Sequence, residues 1–106
     1  MTTIESFTRL SDDHLVAKTD QIAAAARVST ADLVAALAEV DRRRLYLELG
    51  YSSLFVYCTS RLHLTEGEAF IRIEVARAMR RFPALLPLLA DGALSLTSIR
   101  LLAPHL

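Results

Sequence analysis

The stretch LTEGEAFIRIEVARAMRRF, residues 64–82, has the periodicity of a helix with apolar side chains on two sides. Thr65 is a typical N-cap residue, and Glu68 stands three positions later, where its carboxylate can reach back to the Thr65 amide. At about 100° per residue, the apolar side chains form two roughly opposite sets: Ile71, Val75, Ala78, Met79 and Phe82 in one, and Phe70 and Ile73 in the other. A surface helix needs one apolar side, so we predict that this helix is packed between neighbours at the centre of the fold.

The composition is typical of one all-α domain. A chain of 106 residues suffices for a single core, and 53% hydrophobic residues with three glycines and three prolines favour helices over a sheet. The single cysteine, Cys58, excludes an internal disulfide and lies in an apolar run. The N-terminus lacks the features of a signal peptide, and no apolar run approaches the ~18 residues of a membrane span. We therefore expect a cytoplasmic protein without membrane contact.

Upstream of the central stretch, the pattern predicts one long helix. Ser11 is a suitable N-cap, and apolar residues follow at steps of three and four to about Arg44, which at ~1.5 Å per residue gives a helix of ~50 Å. The alternative is a break at residues 28–30, with Thr30 capping a second helix. A helix of ~50 Å exceeds what one small domain can cover, which predicts a projecting arm or a partner. Residues 1–10 are predicted to be a flexible lead-in, and residues 11–106 a single helical domain.

Three shorter helices are predicted around the central one, at residues 54–62, 84–90 and 98–103, the last capped by Thr97. Pro83 ends the central helix, and Gly92 supplies the left-handed residue that closes the next. The predicted fold is therefore all-α, with a long N-terminal helix packed on a compact cluster of about four shorter helices. Leu101 and Leu102 would have little to cover them, so we expect the domain to be truncated at its C-terminal end.

The charge distribution offers one candidate site. Net charge is zero, but residues 1–39 carry −3 and residues 40–82 carry +3. Six arginines fall near the C-terminal ends of the long and central helices: Arg42, Arg43, Arg44, Arg77, Arg80 and Arg81. One interpretation is contact with backbone phosphates, with Tyr46 and Tyr51 nearby for stacking. The other is the ordinary preference for cations at helix C-termini, with the tyrosines at the core edge. Local ion pairs are predicted for Glu68–Arg72 and Glu74–Arg77.

No other pattern indicates chemistry. The three histidines lack zinc-ligand spacing, a Cys58–His63 nucleophile pair has poor geometry, and there is no glycine-rich phosphate loop. Residues 66–103 superficially resemble a helix-turn-helix, yet the candidate recognition helix at 84–90 has no base-reading side chain, and the one at 98–103 offers only Ser98 and Arg100. We predict no catalytic residue, no metal ligand, no cofactor and no sequence-specific readout in this chain.

Three groups of residues carry a family resemblance. They are RRRLY (42–46) with GYSSLF (50–55); Arg72, Ala76 and Arg77 with RFP (81–83); and DG (91–92) through LT (96–97) to LLAPHL (101–106). With these, residues 38–106 resemble the helical N-terminal domain that precedes the catalytic domain in many bacterial HNH endonuclease-like proteins. The resemblance implies an all-α accessory domain beside a nuclease domain, in which paired histidines and an asparagine hold a divalent metal.

This chain departs from that pattern because it contains no asparagine, so no catalytic residue can be carried over. The resemblance implies a non-catalytic accessory module of a nuclease. Our hypothesis is that this module helps to position the nuclease on DNA, without sequence specificity, with the six arginines as backbone-phosphate contacts. The alternative is a protein–protein interaction or oligomerisation module without DNA contact, pairing with another copy or with a downstream catalytic domain. Enzymatic activity is not expected of this chain alone.

Overall fold

One long helix runs the length of the molecule, and the other elements gather around its C-terminal half. The computed structural model describes residues 3–106, with helices α1 (Ile4–Thr8), α2 (Asp12–Arg43), α3 (Leu45–Glu48), α4 (Leu54–Val56), α5 (Glu66–Arg81), α6 (Leu85–Ala90) and α7 (Leu96–Leu102). A π-helical turn, Tyr57–Arg61, continues α4, and a 3-10 turn, Ala103–His105, continues α7. No strand occurs between residues 3 and 106. The predicted all-α fold, with a long N-terminal helix on a cluster of shorter ones, is confirmed.

Helix α2 is unbroken, as predicted. It begins after Ser11, whose hydroxyl accepts a hydrogen bond of 3.2 Å from the amide of His14. It continues through residues 28–30 and ends at Arg44, which takes a left-handed conformation with φ 53°. At ~1.5 Å per residue its 32 residues span about 48 Å, and the longest dimension of the molecule is also 48 Å. The radius of gyration, 16.4 Å, exceeds the ~13 Å of a compact chain this long, so the molecule is elongated.

Helix α5 lies at the centre of the packed part, as its sequence predicts. Thr65 and Glu68 form the expected capping box, with bonds of 2.9 Å from the Thr65 amide to the Glu68 carboxylate and 3.2 Å from the Glu68 amide to the Thr65 hydroxyl. Helix α5 contacts α2 on one side and α7 on another, while α6 packs on α2. Helices α2, α5, α6 and α7 all contribute buried side chains to the core: Val34, Leu37, Val75, Ala76, Leu89 and Ile99.

One predicted core residue of α5 lies at the surface. Phe70 is 47% exposed, and its ring lies under the guanidinium of Arg100, with 5.1 Å from Cζ to the ring centroid. The second apolar side of α5 is instead filled by smaller or shorter side chains, Ala69, Ile73 and Ala76, which are buried. These residues suffice for close packing against the neighbouring elements, so the large ring is left outside.

The N-terminal half of α2, residues 12–29, projects beyond the core, and we call it the arm. Every residue of the arm is exposed except Ala24, which is partly buried, whereas Ala31, Val34 and Leu37 farther along the same helix are buried. The short helix α1 lies beside the arm, and the groove between them is lined by residues that include Phe7, Leu10 and His14. The projecting arm expected from the helix length is therefore present.

Helix α2 is long enough to cross a membrane, and an 18-residue window within it has a mean hydropathy of 1.2, with 17% of that window buried. The sequence-based expectation that no apolar run approaches a membrane span is wrong on that measure. Length and composition alone are weak evidence, because helices packed in protein cores share them. Arg27 and Asp32 both lie in the middle of α2, and charges at mid-span are unfavourable in lipid.

Several local predictions need correction. Helix α7 begins at Leu96 and is capped by Ser95, whose hydroxyl accepts from the Ser98 amide at 3.0 Å, and not by Thr97. The helix predicted at 54–62 is a short α-helix continued by the π-helical turn, and the segment after α2 forms the extra helix α3. Within the predicted lead-in, residues 4–8 form α1, whereas residues 1–2 lie outside the described part of the chain.

Candidate nucleic-acid interface

The C-terminal end of α2 places two of the predicted arginines on one carboxylate. Glu39 accepts 2.7 Å bonds from Nε and Nη2 of Arg42 and a 2.8 Å bond from Nε of Arg43. The Arg42 guanidinium, followed by that of Arg43, lowers the pKa of Glu39 from 4.5 to about 2. The same contact raises the pKa of Arg42. Both arginine side chains remain 57% exposed, so solvent and ligands can still reach them.

A second carboxylate, Asp41, joins α2 to α5. Its Oδ2 accepts from Nε of Arg77 at 3.2 Å and from Nη1 of Arg80 at 3.3 Å. The Asp41 side chain is only 9% exposed, whereas those of Arg77 and Arg80 are 59% and 42% exposed. The two helix ends that carry the predicted arginines therefore meet, and Asp41 holds them together.

Helix α7 adds an arginine that the sequence analysis did not include. Arg100 donates from Nε to Glu74 of α5 at 2.8 Å. A groove of about 400 Å³ between α5 and the end of α7 is lined by Arg77, Arg81 and Arg100, together with Glu74. The predicted pair Glu74–Arg77 is thus wrong, because each partner pairs with another helix. Arg100 was visible in the sequence only as a polar residue in a weak recognition helix, without a signal linking it to α5.

The two remaining predicted arginines are held differently. Arg81 donates from Nη2 to the carbonyl of Ala103 at 3.4 Å, and its guanidinium lies 5.4 Å from the ring centroid of Phe82. Arg44 is exposed at the junction of α2 and α3 and forms no ion pair with any of residues 3–106. No carboxylate among residues 3–106 pairs with either of these two guanidinium groups, so both are available to bind an external anion.

The predicted pair Glu68–Arg72 is also absent as an ion pair. Arg72 donates from Nη1 to the backbone carbonyl of Glu68 at 3.4 Å, while the Glu68 carboxylate accepts from the amide of Thr65. Hydrogen bonds from the Thr65 backbone and side chain lower the pKa of Glu68. The acid is thus committed to the helix cap and does not neutralise the arginines.

The seven arginines 42, 43, 44, 77, 80, 81 and 100 define what we call the arginine face. Arg77 connects its two parts, because it contacts Asp41 beside the end of α2 and also lines the groove with Arg81 and Arg100. Three carboxylates lie within it, Glu39, Asp41 and Glu74, which leaves a net charge of +4. Exposed guanidinium groups in such an arrangement can bind phosphate oxygens in a bidentate manner.

The tyrosines suggested for stacking both pack against other residues of the chain. Tyr46 is partly buried against the core. Tyr51 packs edge-on against Tyr57, with ring centroids 5.7 Å apart and planes at 81°. Both tyrosines therefore have packing partners within the fold, as the interpretation that places them at the core edge predicts.

Two residues considered for catalysis lie in unsuitable places. Cys58 is fully buried, and burial raises the pKa of its thiol, which disfavours the reactive thiolate. His63 is exposed, in a left-handed conformation with φ 58°. Across residues 3–106, no group of three or more His, Cys, Asp or Glu side chains could hold a metal ion.

Comparison with known proteins identifies one family that this chain matches. No curated protein and no solved structure matches the chain. The model of one family, described as a domain of unknown function (DUF222), matches residues 3–105, which span all the helices described above. Because the match covers nearly the whole chain, this protein belongs to the DUF222 family.

Proposed function

We propose that this chain is the helical N-terminal module of an HNH endonuclease-like protein and helps to position a nuclease on DNA through backbone-phosphate contacts. The contacts would come from the arginine face, and the proposal gives this chain no catalytic residue. Hydrolysis and the divalent metal would belong to a separate nuclease domain. The proposal places the protein in the cytoplasm of a bacterium, where it would meet DNA without sequence preference.

The convergence of arginines from three helices is the observation that carries the proposal. Helices α2, α5 and α7 contribute them from positions up to 58 residues apart, and Arg77 connects the two parts. Cations at a helix C-terminus account for Arg42, Arg43, Arg80 and Arg81 taken singly. They do not account for Arg100 and Arg81 facing one groove, nor for the net charge of +4 that remains after pairing. Phosphate groups of a nucleic acid backbone match this distribution of charge.

The test is a titration of a short labelled duplex, followed by fluorescence anisotropy at several salt concentrations. The logarithm of the association constant should fall linearly with the logarithm of salt, with a slope of about −0.9 for each phosphate contacted. Arg44→Ala and Arg81→Ala remove guanidinium groups that have no carboxylate partner, so each should weaken binding and reduce the slope by about 1.

Arg9→Ala is the matched control. It makes the same change in net charge, but Arg9 caps α1 at the opposite end of the molecule, about 48 Å along α2. It should leave both affinity and slope almost unchanged. Absence of binding at low salt, or equal losses for Arg9→Ala and Arg81→Ala, would remove the arginine face as a DNA contact.

The alternative is an interaction or oligomerisation module without DNA contact, and the arm favours it. Leu15, Val16 and Ile22 are exposed there by 37%, 61% and 47%. Leu101 and Leu102 at the other end are also exposed, by 67% and 42%. A chain that fails to bind DNA yet associates with another protein through either surface would support this function.

A further inference from the structure

Helix α5 presents an aromatic ring and two arginines in a single row. Four of its residues follow one another at steps of four, three and four and so lie on one side of the helix: Phe70, Glu74, Arg77 and Arg81. At ~1.5 Å per residue this row is about 16 Å long. Phe70, Arg77 and Arg81 are exposed, and Glu74 is partly exposed. The ring and the charges are therefore open to one and the same ligand.

Two grooves follow this row and border each other at its middle. One groove, of about 340 Å³, is lined by residues that include Phe70, Glu74 and Arg77. The other is the groove of about 400 Å³ between α5 and the end of α7, and Glu74 and Arg77 line it as well. Both volumes fall in the range of sites that bind small organic groups. The aromatic end and the arginine-rich end of the row thus form one continuous surface.

The ring of Phe70 is held at this surface by Arg100. The guanidinium of Arg100 lies over the ring, 5.1 Å from its centroid, while its Nε donates to Glu74 at 2.8 Å. Phe70 nevertheless remains 47% exposed, and the Arg100 side chain 42%. Aromatic rings and guanidinium planes are the two kinds of side-chain surface on which nucleobases stack. A base that enters the groove therefore meets a platform that is already assembled.

The surroundings of Phe70 favour a planar, anionic ligand over a protein partner. Within α5, which the structure describes throughout, Phe70 is the one large apolar side chain that is exposed. A protein interface needs a larger apolar centre than a single ring. The residues that line the two grooves include three arginines and one glutamate, which leaves a charge of +2 beside the ring. A nucleotide has both the flat apolar part and the phosphate that this arrangement requires.

We propose that the arginine face binds DNA that carries an unpaired nucleotide, with the unpaired base stacked at Phe70. The adjoining phosphates lie on Arg77, Arg81 and Arg100. This inference rests on the proposed function and names the class of DNA that the module recognises. The bases of a duplex are stacked on one another, so only an overhang, a gap or a frayed end offers a free base to the ring. At ~3.4 Å per nucleotide, a row of about 16 Å accommodates no more than about five nucleotides of a stacked strand.

The first test compares three labelled DNAs by fluorescence anisotropy. They are a blunt duplex, the same duplex with an overhang of about five nucleotides, and a third whose overhang has the same phosphates but no bases. The duplex with the normal overhang should bind about tenfold more tightly than the abasic one, which is the gain expected from one stacked base. Overhangs of both polarities are compared, because the row does not fix the direction of the strand.

Substitutions of Phe70 separate stacking from charge. Phe70→Ala and Phe70→Leu should both remove the preference for the normal overhang, whereas Phe70→Tyr, which keeps an aromatic ring, should retain it. The dependence of affinity on salt should be the same in all three, because none changes a charge, whereas Arg81→Ala should reduce that dependence on every DNA. Val28→Ala is the remote control, since Val28 on the arm is 48% exposed. Circular dichroism should show equal helix content, because Phe70 is not part of the buried core.

The second test reports on the contact itself. The sequence contains no tryptophan, so Phe70→Trp gives the chain a single indole at the proposed platform. Its emission should be quenched when the duplex with the normal overhang is added, and the quenching should saturate together with the anisotropy. The abasic duplex should leave the emission almost unchanged. Val28→Trp places the indole at an equally exposed position on the arm and should show no quenching by either DNA.

The outcomes separate this inference from the proposed function. Equal affinities for the normal and the abasic overhang would overturn the inference, as would a Phe70→Leu chain that keeps the full preference. Binding of the blunt duplex that Arg81→Ala weakens would in that case leave the proposed function intact. Absence of binding to all three DNAs at low salt would remove both.

Discussion

Arg77 of α5 meets Asp41 of α2 across 36 residues of chain, with its Nε 3.2 Å from Oδ2. The carboxylate is almost covered and the guanidinium mostly exposed, so the acid is the fixed member of the pair. Arg80, one helical turn later, uses the same oxygen at 3.3 Å. This arrangement joins the C-terminal end of α2 to α5, so that arginines from both helices lie around one carboxylate.

Asp41→Asn should lower the free energy of unfolding by about 1 kcal/mol, because it removes the charge from two hydrogen bonds whose arginine partners are largely solvated. Denaturation with urea measures this change. Asp32→Asn is the control, since Asp32 is exposed on the same helix and forms no ion pair in the described chain. Equal effects of the two substitutions would mean that the Asp41 contacts contribute nothing.

Glu39→Gln should strengthen DNA binding, because it releases Arg42 and Arg43 from the carboxylate that they share. We expect a several-fold gain in affinity and a steeper dependence on salt. Glu5→Gln makes the same change of charge in α1, away from the arginine face, and should have little effect. The prediction fails if both variants gain equally, since net charge alone would then account for the result.

Two glycine substitutions should have opposite signs. Gly67 lies in the first turn of α5 with nothing within 4 Å of an added Cβ, so Gly67→Ala should stabilise the fold by about 0.5 kcal/mol. Gly92 has φ +88°, and an added Cβ would lie 2.9 Å from Nε of Arg27, so Gly92→Ala should destabilise it by about 1 kcal/mol or more. Thermal unfolding of each variant and of the parent chain measures both changes in stability.

The capping box of α5 should make stability depend on pH in the acidic range. The Thr65 contacts lower the pKa of Glu68 in the folded state. Their contribution to the free energy of unfolding is therefore complete above the ordinary pKa of a glutamate, 4.5. It is lost as pH falls below that value and through the folded-state pKa. NMR titration of the Glu68 carboxylate should show a lowered pKa, and Thr65→Ala should raise that pKa only part of the way toward 4.5, because the backbone amide of residue 65 remains as a donor. An unshifted Glu68 in the parent chain would contradict the capping assignment.

The parts of the fold that rest on local signals could be predicted from the sequence. Ser11 and the Thr65–Glu68 pair begin their helices through contacts only three residues apart, and Gly92 closes α6 through its own backbone preference. Phe70 could not be assigned in the same way. Its periodicity fits a second buried side, but the three-dimensional packing decided that smaller residues fill that side.

The candidate site was only half predictable, for a related reason. The arginine-rich ends of α2 and α5 are visible as runs in the sequence, but their partners are not. Glu74 has Arg77 at helical spacing and still pairs with Arg100, 26 residues away, because α7 packs beside α5. Spacing along one helix shows which pairs are possible, and the approach of a second helix determines which of them form.

Helix α2 continues past the point where the core ends, and this gives one element two different stabilities. Amide hydrogens near Val34 and Leu37 can exchange with solvent only when the packed cluster opens, whereas those of the arm require only fraying from Ser11 inward. Protease cleavage should follow the same gradient, beginning in residues 12–29 and stopping near Ala31. The same 32 residues therefore belong to two cooperative units, and a ligand on the arm can stiffen one without changing the other.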